Sequence, residues 1–127
     1  LSNRQLHQRI LQKKISNSYI TADSAEPKSI DELNALGSIR VLNAKKGPDS
    51  IEYGIKWLQD LEEIIIDNVR CPNTTREFTS YEYDRDKMGN FISRYPDLNN
   101  HSIDATRYSR ENDMKSNKLS FGYNGII

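Results

Sequence analysis

The chain has 127 residues, 35% hydrophobic and 28% charged, and its 18 Lys+Arg balance 18 Asp+Glu to a formal net charge of +0. That length suits one domain, and the charge balance excludes the acidic or basic tails of disordered partners. It also removes the easiest argument for nucleic-acid binding, a strongly basic pI. Mean hydropathy is -0.79, and the longest apolar stretch is Ile64-Ile65-Ile66. A membrane helix needs roughly 20 apolar residues, so no membrane partner is expected. Leu1 to Gln5 lack the apolar core of a signal peptide. Cys71 is the one cysteine, which leaves no internal disulfide and fits a reducing, intracellular setting. With no initiator Met, the chain reads as a piece of something longer.

In chain order, Ser2 to Lys14 reads as a helix, with Leu6, Ile10 and Leu11 at helical spacing. Tyr19 to Ala22 reads as a short strand ending at Asp23, and 23–27 as a loop. Ser29 to Leu36 is a second helix, entered through Pro27 and closed by Gly37. Ile39 to Leu42 is a second strand. After the turn-rich 45–49, Ser50 caps a third helix, Ile51 to Leu61, with an apolar face of Ile51, Ile55, Trp57, Leu58 and Leu61. Glu63 to Asp67 is read as a third strand. Thr74 to Tyr83 is a fourth helix with Phe78 and Tyr81 facing in. Asp84 to Asn90 reads as a hairpin or loop, with Gly89 at its turn. Asn99 or Asn100 caps a fifth helix to about Arg110. Residues 112–127 form a polar tail that is a strand, an arm or disorder. Strands alternating with helices predict an α/β layer with parallel pairing. Three strands are few for a free-standing sheet, so either the tail adds one or strands precede Leu1.

Two segments concentrate chemistry. In the first, Asp23 ends a strand, where open α/β sheets place ligands, with Glu26 in the same loop. The plain structural reading of a lone Asp there is an Asx-turn or a helix cap. In the second, helical spacing puts His101, Asp104 and Tyr108 on one stripe, with Arg107 beside it. A His and an Asp one turn apart can hold a divalent metal together, but an early Asp also simply favours the helix dipole. A fold that joins Asp23 to Asp104 would make an oxygen-donor site for Mg²⁺ or Mn²⁺. Two such ions about 3.5–4 Å apart cleave phosphodiesters. There is no Walker-type phosphate loop, and two histidines with one cysteine make a structural zinc site unsupported.

These segments resemble a known pattern: Ile20-Thr21-Ala22-Asp23-Ser24-Ala25-Glu26-Pro27, then Lys45-Lys46-Gly47-Pro48-Asp49-Ser50-Ile51 and Ile55-Lys56-Trp57-Leu58. Asn73-Thr74-Thr75-Arg76-Glu77-Phe78 and His101-Ser102-Ile103-Asp104-Ala105-Thr106-Arg107-Tyr108 follow. In that order they resemble the C-terminal nuclease domain of a phage or prophage terminase large subunit of Gram-positive type, from about Leu6 to Arg110. The resemblance implies an RNase H-like mixed sheet flanked by helices. It implies a two-metal-ion endonuclease, a hydrolase cutting concatemeric double-stranded DNA during packaging in the host cytoplasm. The implied partners are an ATPase motor domain, a portal and a small terminase subunit. Asp23 matches the family's middle acidic ligand, Asp104 the last, and His101 the histidine beside it. The family's first aspartate lies on an opening strand with no match here, so 1–111 is expected to be an N-terminally incomplete nuclease domain of impaired activity. Lys45, Lys46 and Arg107 are candidate DNA contacts, against a solvated loop for the lysines and a carboxylate partner for Arg107. The Tyr81, Tyr83 and Tyr95 cluster is read as packing. The alternative function is a non-catalytic remnant or interaction module docking on portal or small subunit, with an exposed sheet edge that invites a homo-oligomer.

Overall fold

The computed structural model of the chain describes residues 1–15 and 17–114, so the polar tail lies outside the described residues apart from its first three positions. The described elements are α1 (Asn3–Gln12), β1 (Tyr19–Ala22), α2 (Pro27–Ala35), β2 (Arg40–Asn43), α3 (Ser50–Gln59), α4 (Pro72–Ser80) and α5 (His101–Ser109). Ser2 caps α1 through a capping box: the Gln5 N–H donates to Ser2 Oγ at 3.1 Å, and the Ser2 N–H donates to Gln5 Oε1 at 2.9 Å. Pro27 occupies the first turn of α2, where its missing N–H costs nothing. Gly37, at φ 83°, adopts the left-handed turn that ends it.

β1, α2 and β2 form one parallel crossover unit, with Ile20 opposite Val41 and Ala22 opposite Asn43. Alternation puts Ile20, Ala22 and Val41 on one face, where α2 contributes Ile30 and Leu33. Ile39 and Ile10 complete this core. Buried His7 ties α1 to the end of α2, its Nε2–H donating to Gly37 O at 2.7 Å. The Asn34 side chain lies along the outer edge of β2: its Nδ2 donates to Val41 O at 2.9 Å, and the Val41 N–H donates to its Oδ1 at 2.8 Å.

The structure departs from the expected elements in four places. Glu63 to Asp67 is not a strand: an apolar triplet becomes one only when a neighbour takes its backbone groups, and none does among the described residues. Ile65 is 83% exposed. α3 begins at Ser50, with Asp49 as its N-cap, and buries Gly54, Ile55 and Leu58 while Ile51 and Leu61 stay exposed. α4 starts two residues early because Pro72 opens it. The hairpin is reduced to one antiparallel bridge, Arg85 to Phe91, turning at Gly89 (φ 84°). No described helix is long and apolar enough to cross a membrane.

Candidate metal centre

Parallel strands end on the same side of a sheet, and that brings the first two charged groups of the site together. Asp23 follows β1, and the loop holding Lys46 follows β2, with the Ala44 N–H donating to Ala22 O at 2.8 Å. Lys46 Nζ reaches Asp23 Oδ1 at 2.5 Å. Asp23 Oδ1 also accepts the Ala25 N–H at 3.1 Å, so the Asx-turn is present as well as the charge pair. The hydrogen bond from Lys46 holds the Asp23 carboxyl below its ordinary pKa and raises that of Lys46. Both side chains are about half exposed, at 54% and 46%.

α5 packs against β1 and α4, which carries Asp104 to the same end of the sheet. Its N-terminus is capped from another helix: Glu77 Oε2 accepts the Ser102 N–H at 2.6 Å and the Ile103 N–H at 3.3 Å. A carboxylate there meets two orphan donors and the positive end of the dipole. Asp104 Oδ1 accepts from Arg107 Nη2 at 2.6 Å, and its Oδ2 accepts from Asn100 Nδ2 at 3.2 Å. Arg107 is 5% exposed and Asp104 26%. Arg107 Nε is buried without an acceptor among the described residues, a defect that costs about 1–3 kcal/mol. The arginine stem crosses α3 at Gly54, where an added Cβ would lie 2.7 Å from Arg107 Cδ.

Asp23, Lys46, Asp104, Arg107 and Tyr108 line one cavity of about 440 Å³, with Asn100 and Tyr81 in its wall. Burial pushes the hydroxyls of Tyr81 and Tyr108 above their ordinary pKa, and Asp104 adds to both shifts. Tyr81 and Tyr83 both stack on Tyr95, at 5.4 and 4.4 Å between ring centroids. The cavity thus joins Asp23 and Asp104. His101 is exposed, opens α5 and does not line this cavity; the stripe contributes Asp104 and Tyr108. Of the three basic candidates, Lys46 is held on Asp23 and Arg107 is sealed into the wall on Asp104. Lys45 is exposed, its backbone N–H donating to Glu111 Oε2 at 2.9 Å.

The donor chemistry fits a hard divalent cation: the carboxylates of Asp23, Asp97 and Asp104 line one cavity, with amide and phenol oxygens nearby. Among the described residues, no three His, Cys, Asp or Glu side chains converge on one metal position. Asp23 and Asp104 are therefore a partial ligand set, each now facing a protein cation, while Asp97 Oδ1 lies 3.5 Å from Asn100 Nδ2. Glu77, Asn100 and Gly54 support the site without an expectation from sequence. Gly54 had a readable signal, a lone glycine inside a helix, which marks close approach. Glu77 had none, because it acts across 25 residues on a helix other than its own.

Comparison with known proteins finds relatives of the chain in sequence and in fold. The family described as Terminase RNAseH like domain matches residues 1–112. The chain is 48% identical over 112 residues to the terminase large subunit of Bacillus phage SPP1, covering 87% of this chain and 26% of that protein. It is 33% identical over 100 residues to the PBSX phage terminase large subunit of Bacillus subtilis (strain 168), covering 76% of this chain and 23% of that protein. It therefore spans about a quarter of the length of these relatives. A crystal structure of the large terminase nuclease domain of bacteriophage SPP1, with bound Mn, superposes with a TM-score of 0.80 at 46% identity, covering 89% of this chain and 64% of that one.

Proposed function

Since the chain belongs to the family of terminase RNase H-like domains, we propose that it is the nuclease part of a large subunit that cuts concatemeric phage DNA during packaging in the host cytoplasm. The observation that carries this reading is one cavity lined by both Asp23 and Asp104. Asp23 and Asp104 would hold Mg²⁺ or Mn²⁺, as the Mn-bound SPP1 relative supports. When bound, such ions supply a water of lowered pKa and neutralise charge on the leaving oxygen. The chain's own residues prepare that site. The β1 and α5 ends bring the two carboxylates together. Arg107 and Asn100 hold Asp104 by both oxygens. Lys46, freed from Asp23, stands at the cavity rim to take a phosphate oxygen of the DNA backbone. His101, exposed at the start of α5, contacts DNA or metal from outside the cavity. The motor domain, portal and small subunit are partners of the parent assembly.

Asp23 and Asp104 by themselves are fewer ligands than a pair of divalent ions requires, so the chain alone is expected to nick slowly. Plasmid nicking with Mn²⁺ tests the proposal. Weak nicking that disappears in both Asp23→Ala and Asp104→Ala is the expected outcome. Metal-dependent nicking that survives Asp104→Ala sinks the assignment.

A further inference from the structure

We propose that Gly54 and Arg107 form a seat that positions Asp104: the glycine notch in α3 admits the buried arginine stem, and the guanidinium fixes the carboxylate's orientation. The inference rests on the reading of Asp104 as a metal ligand.

Three observations carry it. The first is steric. A Cβ at residue 54 would fall 2.7 Å from Arg107 Cδ and 3.2 Å from its Cγ, so any larger residue displaces the stem rather than its free end. Glycine weakens a helix interior, yet α3 carries it where Arg107 crosses. The second is the fork. Arg107 Nη2 takes Asp104 Oδ1 at 2.6 Å while Asn100 Nδ2 takes Oδ2 at 3.2 Å, so both oxygens are held and the carboxylate plane is set. The third is what the guanidinium leaves undone. Among the described residues its Nε has no acceptor, and Nη1 reaches Ser50 O only at 3.5 Å. The one short polar contact of this buried group among those residues is the one on Asp104. Arg107 is thus a positioning residue, acting through Asp104.

The test is Mn²⁺ affinity, read by the EPR signal of free Mn²⁺ in titrations of the whole chain, with urea unfolding in chelator alongside. Arg107→Lys keeps the charge and loses the planar fork; Gly54→Ala keeps every polar group and moves the stem. Each is expected to weaken Mn²⁺ binding about ten-fold, the lower end for partners that orient a ligand. In an Arg107→Ala background, Gly54→Ala should add no further loss, because the clash is gone. Wild-type or tighter affinity in both single variants overturns the seat. So does a Gly54→Ala loss that persists undiminished in the Arg107→Ala background. If Gly54→Ala fails to fold, Arg107→Lys, which adds no atoms at the α3–α5 crossing, decides alone. Mn²⁺ binding that survives Asp104→Asn overturns the metal reading itself. Binding lost in Asp104→Asn but intact in both seat variants overturns only the seat.

Discussion

Asp23 and Asp104, two of the three carboxylates that line the cavity, are held in opposite ways. Asp23 sits on a loop at the sheet edge, paired with a flexible lysine, both about half exposed. Asp104 sits on a helix, paired with an arginine at 5% exposure and braced by Asn100 on its other oxygen. An exposed pair gains little and exchanges readily with solvent ions. A buried pair contributes mainly by the cost of breaking it. One half of the site is therefore displaceable and the other built in, and a divalent cation meets a rigid carboxylate and an adjustable one.

The sharpest way to break this contrast is Asp104→Ala. It strands the buried Arg107 charge and should cost about 3 kcal/mol in urea unfolding, besides abolishing Mn²⁺ binding. A loss no greater than that of Asp23→Ala would erase the distinction. Glu77→Ala probes the built-in half one step away: without its cap, α5 should lose about 1–2 kcal/mol. The Ser102 and Ile103 amides should exchange hydrogen faster by NMR. Asp23→Asn should leave urea stability within about 0.5 kcal/mol while lowering Mn²⁺ affinity. The smallest effect is in pH. The folded pKa of Asp23 lies below the ordinary 3.8, so its contribution holds above that value and is lost as pH falls through the folded pKa. Lys46 is raised above 10.5, so its contribution holds below that value and is lost as pH rises through the folded pKa. The stability difference between wild type and Asp23→Asn should be small, flat through neutral pH, and vanish at both extremes, more so in high salt.

The crossover unit from β1 to β2 was legible because its signals are local: apolar strand residues, Pro27 at a helix start, Gly37 at a helix end. Ile64-Ile65-Ile66 misled because an apolar run reports what can pair, and pairing belongs to the partner. Asp23 and Asp104 stood out as candidates by their places at a strand end and in a helix first turn, but those places alone also fit a turn and a helix-dipole role, and the resemblance singled them out. A carboxylate partner for Arg107 was an open alternative, now met by Asp104; its burial was not legible, because an arginine on a polar helix face looks solvated until Gly54 on another helix is seen to receive it. His101 shows the limit of stripe arguments: three residues from Asp104 it shares a helix face, yet as the first residue of α5 it projects beyond the cavity that Asp104 enters.

Asn34 gives the small sheet a polarity of growth. By satisfying both the N–H and the C=O of Val41, its amide stands in for the next strand along β2. Any strand approaching from that side must first undo two hydrogen bonds to make its own. β1 has no counterpart to Asn34 among the described residues. Among the described residues the sheet is therefore closed on one flank by a single side chain, while the flank of the strand that delivers Asp23 carries no such cap.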